Sequence, residues 1–138
     1  MSESALSTYE LTGRRISPQR MEVDTGETTF EIGSDVNPIE YFLGSVVGCL
    51  NSTGSVVARD MGIEIDELEL TVEGAVNYAK YKGEPTEDRA GIQRVEVTVS
   101  VDADADESEL RAWLSAVESR CPVTDNVENG TTLDVSLD

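Results

Sequence analysis

Two cysteines and no histidine define the chemistry open to this chain of 138 residues. Without imidazole there is no Ser-His-Asp triad, no His-ligated metal and no imidazole general base. The remaining reactive groups are thiols, carboxylates, guanidinium groups and phenols. Cys49 lies in Gly48-Cys49-Leu50, on the helical face of Phe42, Val46, Thr53 and Val56. Cys121 directly precedes Pro122, and proline suits the first position of a helix. That places Cys121 at a helix N-terminus, where the partial positive charge favours a thiolate. Spacing alone leaves two readings open: thiol chemistry, or two unrelated buried cysteines acting as small hydrophobes. Glu40 has two readings as well. It can complete a capping box in Asn37-Pro38-Ile39-Glu40, or serve the thiol. Nine residues separate it from Cys49, about 13.5 Å of helical rise and about half a turn out of phase. Service to the thiol therefore needs a bridging group such as arginine, or a second subunit. Arg14, Arg15 and Arg20 cluster near Pro18 in an otherwise acidic chain. They either balance surface charge or aim a guanidinium at a thiolate or anion.

The elements that must position these groups follow from periodicity. Tyr9 and Leu11, Met21 and Val23, and Phe30 and Ile32 alternate with polar residues, with turns at Ser17-Pro18-Gln19 and Asp24-Thr25-Gly26. Asn37-Pro38-Ile39-Glu40 predicts a helix start, and the helix runs to about Met61 with Gly62 as its cap. Gly44, Gly48 and Gly54 lie inside it. Each costs about 1 kcal/mol relative to alanine, so close backbone approach is expected and the helix is read as buried on more than one side. Leu68, Leu70 and Val72, then Val95, Val97, Val99 and Val101, mark two long strands with one wet, acidic face each. The polar segment from Tyr78 to Gly91 is a loop. Asp106 and Glu109 open a second, amphipathic helix carrying Leu110, Trp113, Leu114 and Val117. A last strand is expected over Leu133, Val135 and Leu137. Strands, long helix, strands, helix and strand in that order read as an α+β fold with mostly antiparallel pairing, in a single domain over residues 1–138.

The formal net charge is −18, from 28 Asp plus Glu against 10 Lys plus Arg. Such a balance excludes a nucleic-acid coat and opposes adsorption to anionic membranes, since both need basic residues. The charge is spread along the chain, and a 38% hydrophobic fraction with clear periods indicates a folded domain and not disorder. A halophilic, salt-rich cytoplasm would explain the composition. The N-terminus lacks a basic segment followed by an apolar one, and the apolar run from Tyr41 to Leu50 is too short to span a bilayer, so a cytoplasmic location is expected.

Taken together, Asn37-Pro38-Ile39-Glu40-Tyr41-Phe42-Leu43, Gly48-Cys49-Leu50 and Arg120-Cys121-Pro122-Val123 resemble the OsmC/Ohr family of osmotically inducible and organic hydroperoxide resistance proteins. The likeness runs over about Ser17 to Leu137. It implies an OsmC-like fold, with sheets wrapped around a central cysteine-bearing helix in an intertwined homodimer. It also implies a thiol peroxidase that reduces organic hydroperoxides in oxidative-stress defence. By motif position Cys49 takes the peroxidatic role and Cys121 the resolving role, giving a Cys49–Cys121 disulfide that an external dithiol reopens. Glu40 matches the family's supporting carboxylate. Arg20 is preferred over Arg15 as the supporting guanidinium, although the chain lacks the G-G-R-D-G loop of the hydroperoxide branch. No cofactor, metal, nucleic acid or membrane is implied. The alternative within the same resemblance is a non-catalytic ligand-binding or redox-sensing stress protein.

Overall fold

A computed structural model describes residues 5–138. By contacts the chain forms two compact units, one ending at Phe42 and the other running from Leu43 to Asp138.

The first unit is a three-stranded antiparallel sheet in the order β1-β2-β3: β1 (Thr12–Ser17), β2 (Arg20–Asp24) and β3 (Thr29–Ile32). Pro18 and Gln19 make the first turn and Gly26, at φ 95°, the second. The sheet begins three residues after Tyr9, which is 87% exposed, so the alternation of Tyr9 and Leu11 precedes the first strand and does not form it. Gly33, at φ 98°, lies against the carbonyl of Gln19, and a side chain there would collide with it. Phe30 packs on Tyr41 with ring centroids 5.7 Å apart, and the Tyr41 hydroxyl donates to the Glu31 carbonyl at 2.8 Å.

The long helix α1 (Pro38–Met61) starts and stops where its sequence signals lie. Asn37 and Glu40 form both halves of the capping box, at 2.9 and 3.0 Å. At the other end Gly62 adopts φ 70°, and the Ile63 amide reaches back to the Ala58 carbonyl at 2.8 Å. By length and composition α1 could cross a membrane, yet its Val46, Leu50, Val57 and Ala58 lie in the protein core.

In the second unit β4 (Ile65–Val76) and β5 (Ile92–Ala103) form an antiparallel hairpin of twelve-residue strands. Leu68, Leu70, Val97, Val99 and Val101 turn one face to the core, while Glu67, Glu69, Glu73 and Glu96 stay exposed. The helix α2 (Glu107–Arg120) opens on the capping box of Asp106 and Glu109, and α3 (Pro122–Glu128) follows directly. The core joins Val46, Leu50 and Val57 of α1 to Trp113, Val117 and Cys121. Trp113 fixes the crossing of α1 and α2, since its indole N–H donates to the Gly54 carbonyl at 2.9 Å. An Arg120–Asp60 ion pair at 3.2 Å ties the same helices near their C-terminal ends.

Two further expectations are corrected. Residues 131–138 form no strand, and Leu133, Val135 and Leu137 are 83%, 87% and 100% exposed. Alternation signals one face seeking cover, but among the described residues no strand lies beside it to supply the ladder hydrogen bonds. The helix α1 is buried along one stripe and not on several sides. Only Gly54 meets a neighbour closely, at Trp113, whereas Gly44 and Gly48 face open space.

Candidate functional site

Cys49 and Cys121 come together at the junction of α1, α2 and α3. Cys49 is half-buried at the edge of the core stripe, and its sulfur lies 3.8 Å from the Thr53 hydroxyl one turn along. Cys121 is 1% exposed and belongs to the core itself. Both are free thiols, near enough to affect each other's ionisation.

Their environments push them apart. Burial raises the Cys49 pKa above the ordinary thiol value, and the adjacent Cys121 thiol adds to the rise; the Val123 amide and Thr53 hydroxyl oppose it without prevailing. Burial also acts to raise Cys121, but there it is outweighed. The amide and hydroxyl of Thr124, the Cys49 thiol and the Val123 amide together bring Cys121 below its ordinary value. Cys121 is the N-cap of α3, with Pro122 next, as its sequence position suggests. Its side chain makes no full capping hydrogen bond, so these groups act as nearby dipoles. The Thr124 hydroxyl donates to the Cys121 carbonyl at 3.2 Å and can rotate toward the sulfur.

Sequence reasoning did not single out Thr124. Its signal was available: it stands three residues after an N-cap, where the amide points back at the capping side chain. The structural role of Trp113 also went beyond the sequence, which placed it only on an apolar stripe.

A cleft of about 210 Å³ includes Thr124 and Leu50 in its lining, though neither cysteine. Leu50, Val97, Val99 and Leu114 give it an apolar wall, and Thr124 is shared between cleft and thiol pair. Glu118 and Glu128, both exposed, also border it.

The remaining predicted site residues belong to the first unit. Arg20 holds Glu31 through two nitrogens, at 2.6 and 3.1 Å, in a pair more than a third exposed. Glu40 carries out the helix-capping role, its carboxylate accepting from the Asn37 amide. Arg14 and Arg15 are exposed on β1, opposite Glu22 and Met21. Among the described residues no cluster of His, Cys, Asp and Glu could hold a metal ion.

Comparison with known proteins gives a consistent result. The profile of the OsmC family, described as OsmC-like protein, matches residues 32–136. No curated protein sequence matches. An OsmC-like protein from Mycoplasma pneumoniae superposes with a TM-score of 0.79 at 17% identity, over 90% of this chain and 89% of that one. The organic hydroperoxide resistance protein OhrB of Bacillus subtilis gives 0.59 at 21% identity, over 90% and 93%. An organic hydroperoxide resistance protein OsmC from Legionella pneumophila gives 0.60 at 16%, over 88% and 90%. At these identities the likeness to the solved structures establishes the fold.

Proposed function

The chain belongs to the OsmC-like family, and on that premise we propose that it is a cysteine-based peroxidase for organic hydroperoxides. One observation carries the proposal: two cysteines 72 positions apart in sequence interact in the folded chain. In this reading the Cys49 thiolate attacks the distal peroxide oxygen. The O–O bond breaks, an alcohol leaves, and Cys49 becomes a sulfenic acid. Cys121 then condenses with it, releasing water and forming the disulfide, which an external dithiol reduces. Because burial raises Cys49, the thiolate needs a cation, and Arg20 is the guanidinium assigned to that task, with Glu40 as the supporting carboxylate. The cleft supplies room for the apolar body of the peroxide. A cavity of roughly 150 Å³ lined by aliphatic groups accepts benzene, so about 210 Å³ admits an aryl group or short alkyl chain.

A homodimer is part of the proposal. In the second unit Leu133, Val135 and Leu137 stand 83%, 87% and 100% exposed, an apolar row without cover from its own unit. An intertwined partner would cover that row. A reducing cytoplasm suits a working thiol pair.

The test is thiol counting after a slight excess of cumene hydroperoxide. Two thiols per chain should vanish rapidly. Cys49→Ser should abolish peroxide loss, and Cys121→Ser should allow about one turnover before over-oxidation. Unchanged thiols, or full activity in Cys49→Ser, overturn the reading. The raised Cys49 pKa favours a second reading, a non-catalytic or redox-sensing member; it predicts disulfide formation too slow for turnover. Light scattering in molar salt tests the dimer, and a monomeric mass refutes it.

A further inference from the structure

The two thiols differ in access and in anion stabilisation, and the two differences agree. Cys121 is sealed in the core among Val46, Leu50 and Val117, while Cys49 stands at its margin. Thiol–disulfide exchange requires the incoming thiolate to approach along the S–S axis, from behind the sulfur it attacks. For attack on Cys121 that approach runs through packed side chains. Attack on Cys49 meets a residue only partly buried, at the edge of the core. The expelled sulfur must then carry a negative charge, and the better leaving group is the more stabilised anion. Thr124 places an amide and a rotatable hydroxyl beside Cys121, and the Val123 amide stands near as well.

We infer that the Cys49–Cys121 disulfide is reopened in one direction only, by attack of an external dithiol on Cys49 with Cys121 leaving as a thiolate held by Thr124. This rests on the proposed disulfide cycle. A thiolate of the reductant bonds to the Cys49 sulfur. The Cys49–Cys121 bond breaks and its electron pair goes to Cys121. The second thiolate of the reductant then attacks its own sulfur in the mixed disulfide. Cys49 is released as a thiolate and takes a proton from water, and the dithiol leaves as a cyclic disulfide. Two electrons pass from the dithiol to the protein. Thr124 acts here on the departing anion: its amide and its rotatable hydroxyl stand beside Cys121, and it does not meet the reductant.

A monothiol stops the sequence at the mixed disulfide and makes the direction readable. The reduced protein is oxidised with diamide, which needs no peroxide activity, and treated with 2-mercaptoethanol. It is then quenched in acid, unfolded, blocked with N-ethylmaleimide and mapped by mass spectrometry. The mercaptoethanol adduct is expected on Cys49 and the maleimide on Cys121, in at least tenfold excess over the reverse. Adducts on Cys121, an even mixture, or failure of diamide to form the disulfide overturn the inference. In Thr124→Val the opening rate should fall about fivefold, as expected for loss of one hydrogen bond to a departing anion, and Thr124→Ser should restore it. An unchanged rate in Thr124→Val removes Thr124 from the step. Should diamide form the disulfide and peroxide not, the peroxidase reading fails while the direction of opening stands.

Discussion

Replacing Gly54 with alanine sets two known effects against each other at one place. A helix interior favours alanine over glycine by about 1 kcal/mol. At position 54 the added Cβ would stand 3.0 Å from Cζ2 of Trp113. The indole cannot swing away freely, because it is 3% exposed and its N–H is held by the carbonyl of the same residue at 2.9 Å. Moving the ring strains that hydrogen bond, worth about 1 kcal/mol, and overpacking a tight site costs roughly 1–3 kcal/mol. The cost exceeds the gain, so Gly54→Ala should lose about 1–2 kcal/mol, a fall in Tm of roughly 3–8 °C. Urea unfolding of wild type and variant at matched protein concentration measures it. Gly48→Ala is the companion variant, since nothing within 4 Å meets a Cβ there. Within one chain it should gain about 1 kcal/mol. With a partner helix laid on that face it should instead weaken the dimer, with a loss that grows on dilution. A Gly54→Ala protein as stable as wild type, or more so, would refute the argument that Trp113 is held in place.

Three further outcomes follow from the same geometry. Ultraviolet thiolate absorbance of the reduced wild-type protein should show two separate ionisations, one below and one above the ordinary thiol value. For stability the signs differ: the lowered Cys121 contributes above its ordinary pKa and loses that contribution as pH falls through its folded value, whereas the raised Cys49 contributes below its ordinary pKa and loses this as pH rises through its folded value. Asp106→Ala removes the side-chain half of the α2 capping box and should cost about 1 kcal/mol in thermal or urea unfolding. Arg20→Ala breaks an ion pair more than a third exposed and should change stability by less than about 1 kcal/mol, while peroxide consumption falls by far more; equal small losses in both would assign Arg20 to the surface alone.

Local signals in this sequence were read correctly wherever the answer depended on a few neighbouring residues. Asn37 with Glu40, Asp106 with Glu109, Gly62 and the alternation of Leu68 to Val72 each define an element through contacts within a turn or along a strand. The misreadings share one physical cause: a pattern declares that a face will be covered, but not by what. Leu133, Val135 and Leu137 alternate as a strand does and find no partner strand among the described residues. Three helix glycines announce close approach, and one of them meets it here. The thiol pair was beyond spacing arguments, because 72 residues and two helix packings lie between its members. The family resemblance named the pair. The inversion of its pKa values was visible only once Thr124 and burial were seen together.

The bond from Trp113 to Gly54 also makes the molecule its own optical instrument. The sequence holds one tryptophan; from α2 its indole bonds to Gly54, which lies on α1 five residues, about 7.5 Å of rise, from Cys49. Any strain that closing the disulfide sends along α1 reaches a single, buried fluorophore with no competing emitter of its kind. Under the proposed disulfide cycle, closing the bond should change the emission of the native protein, a readout that needs no dye and touches neither cysteine.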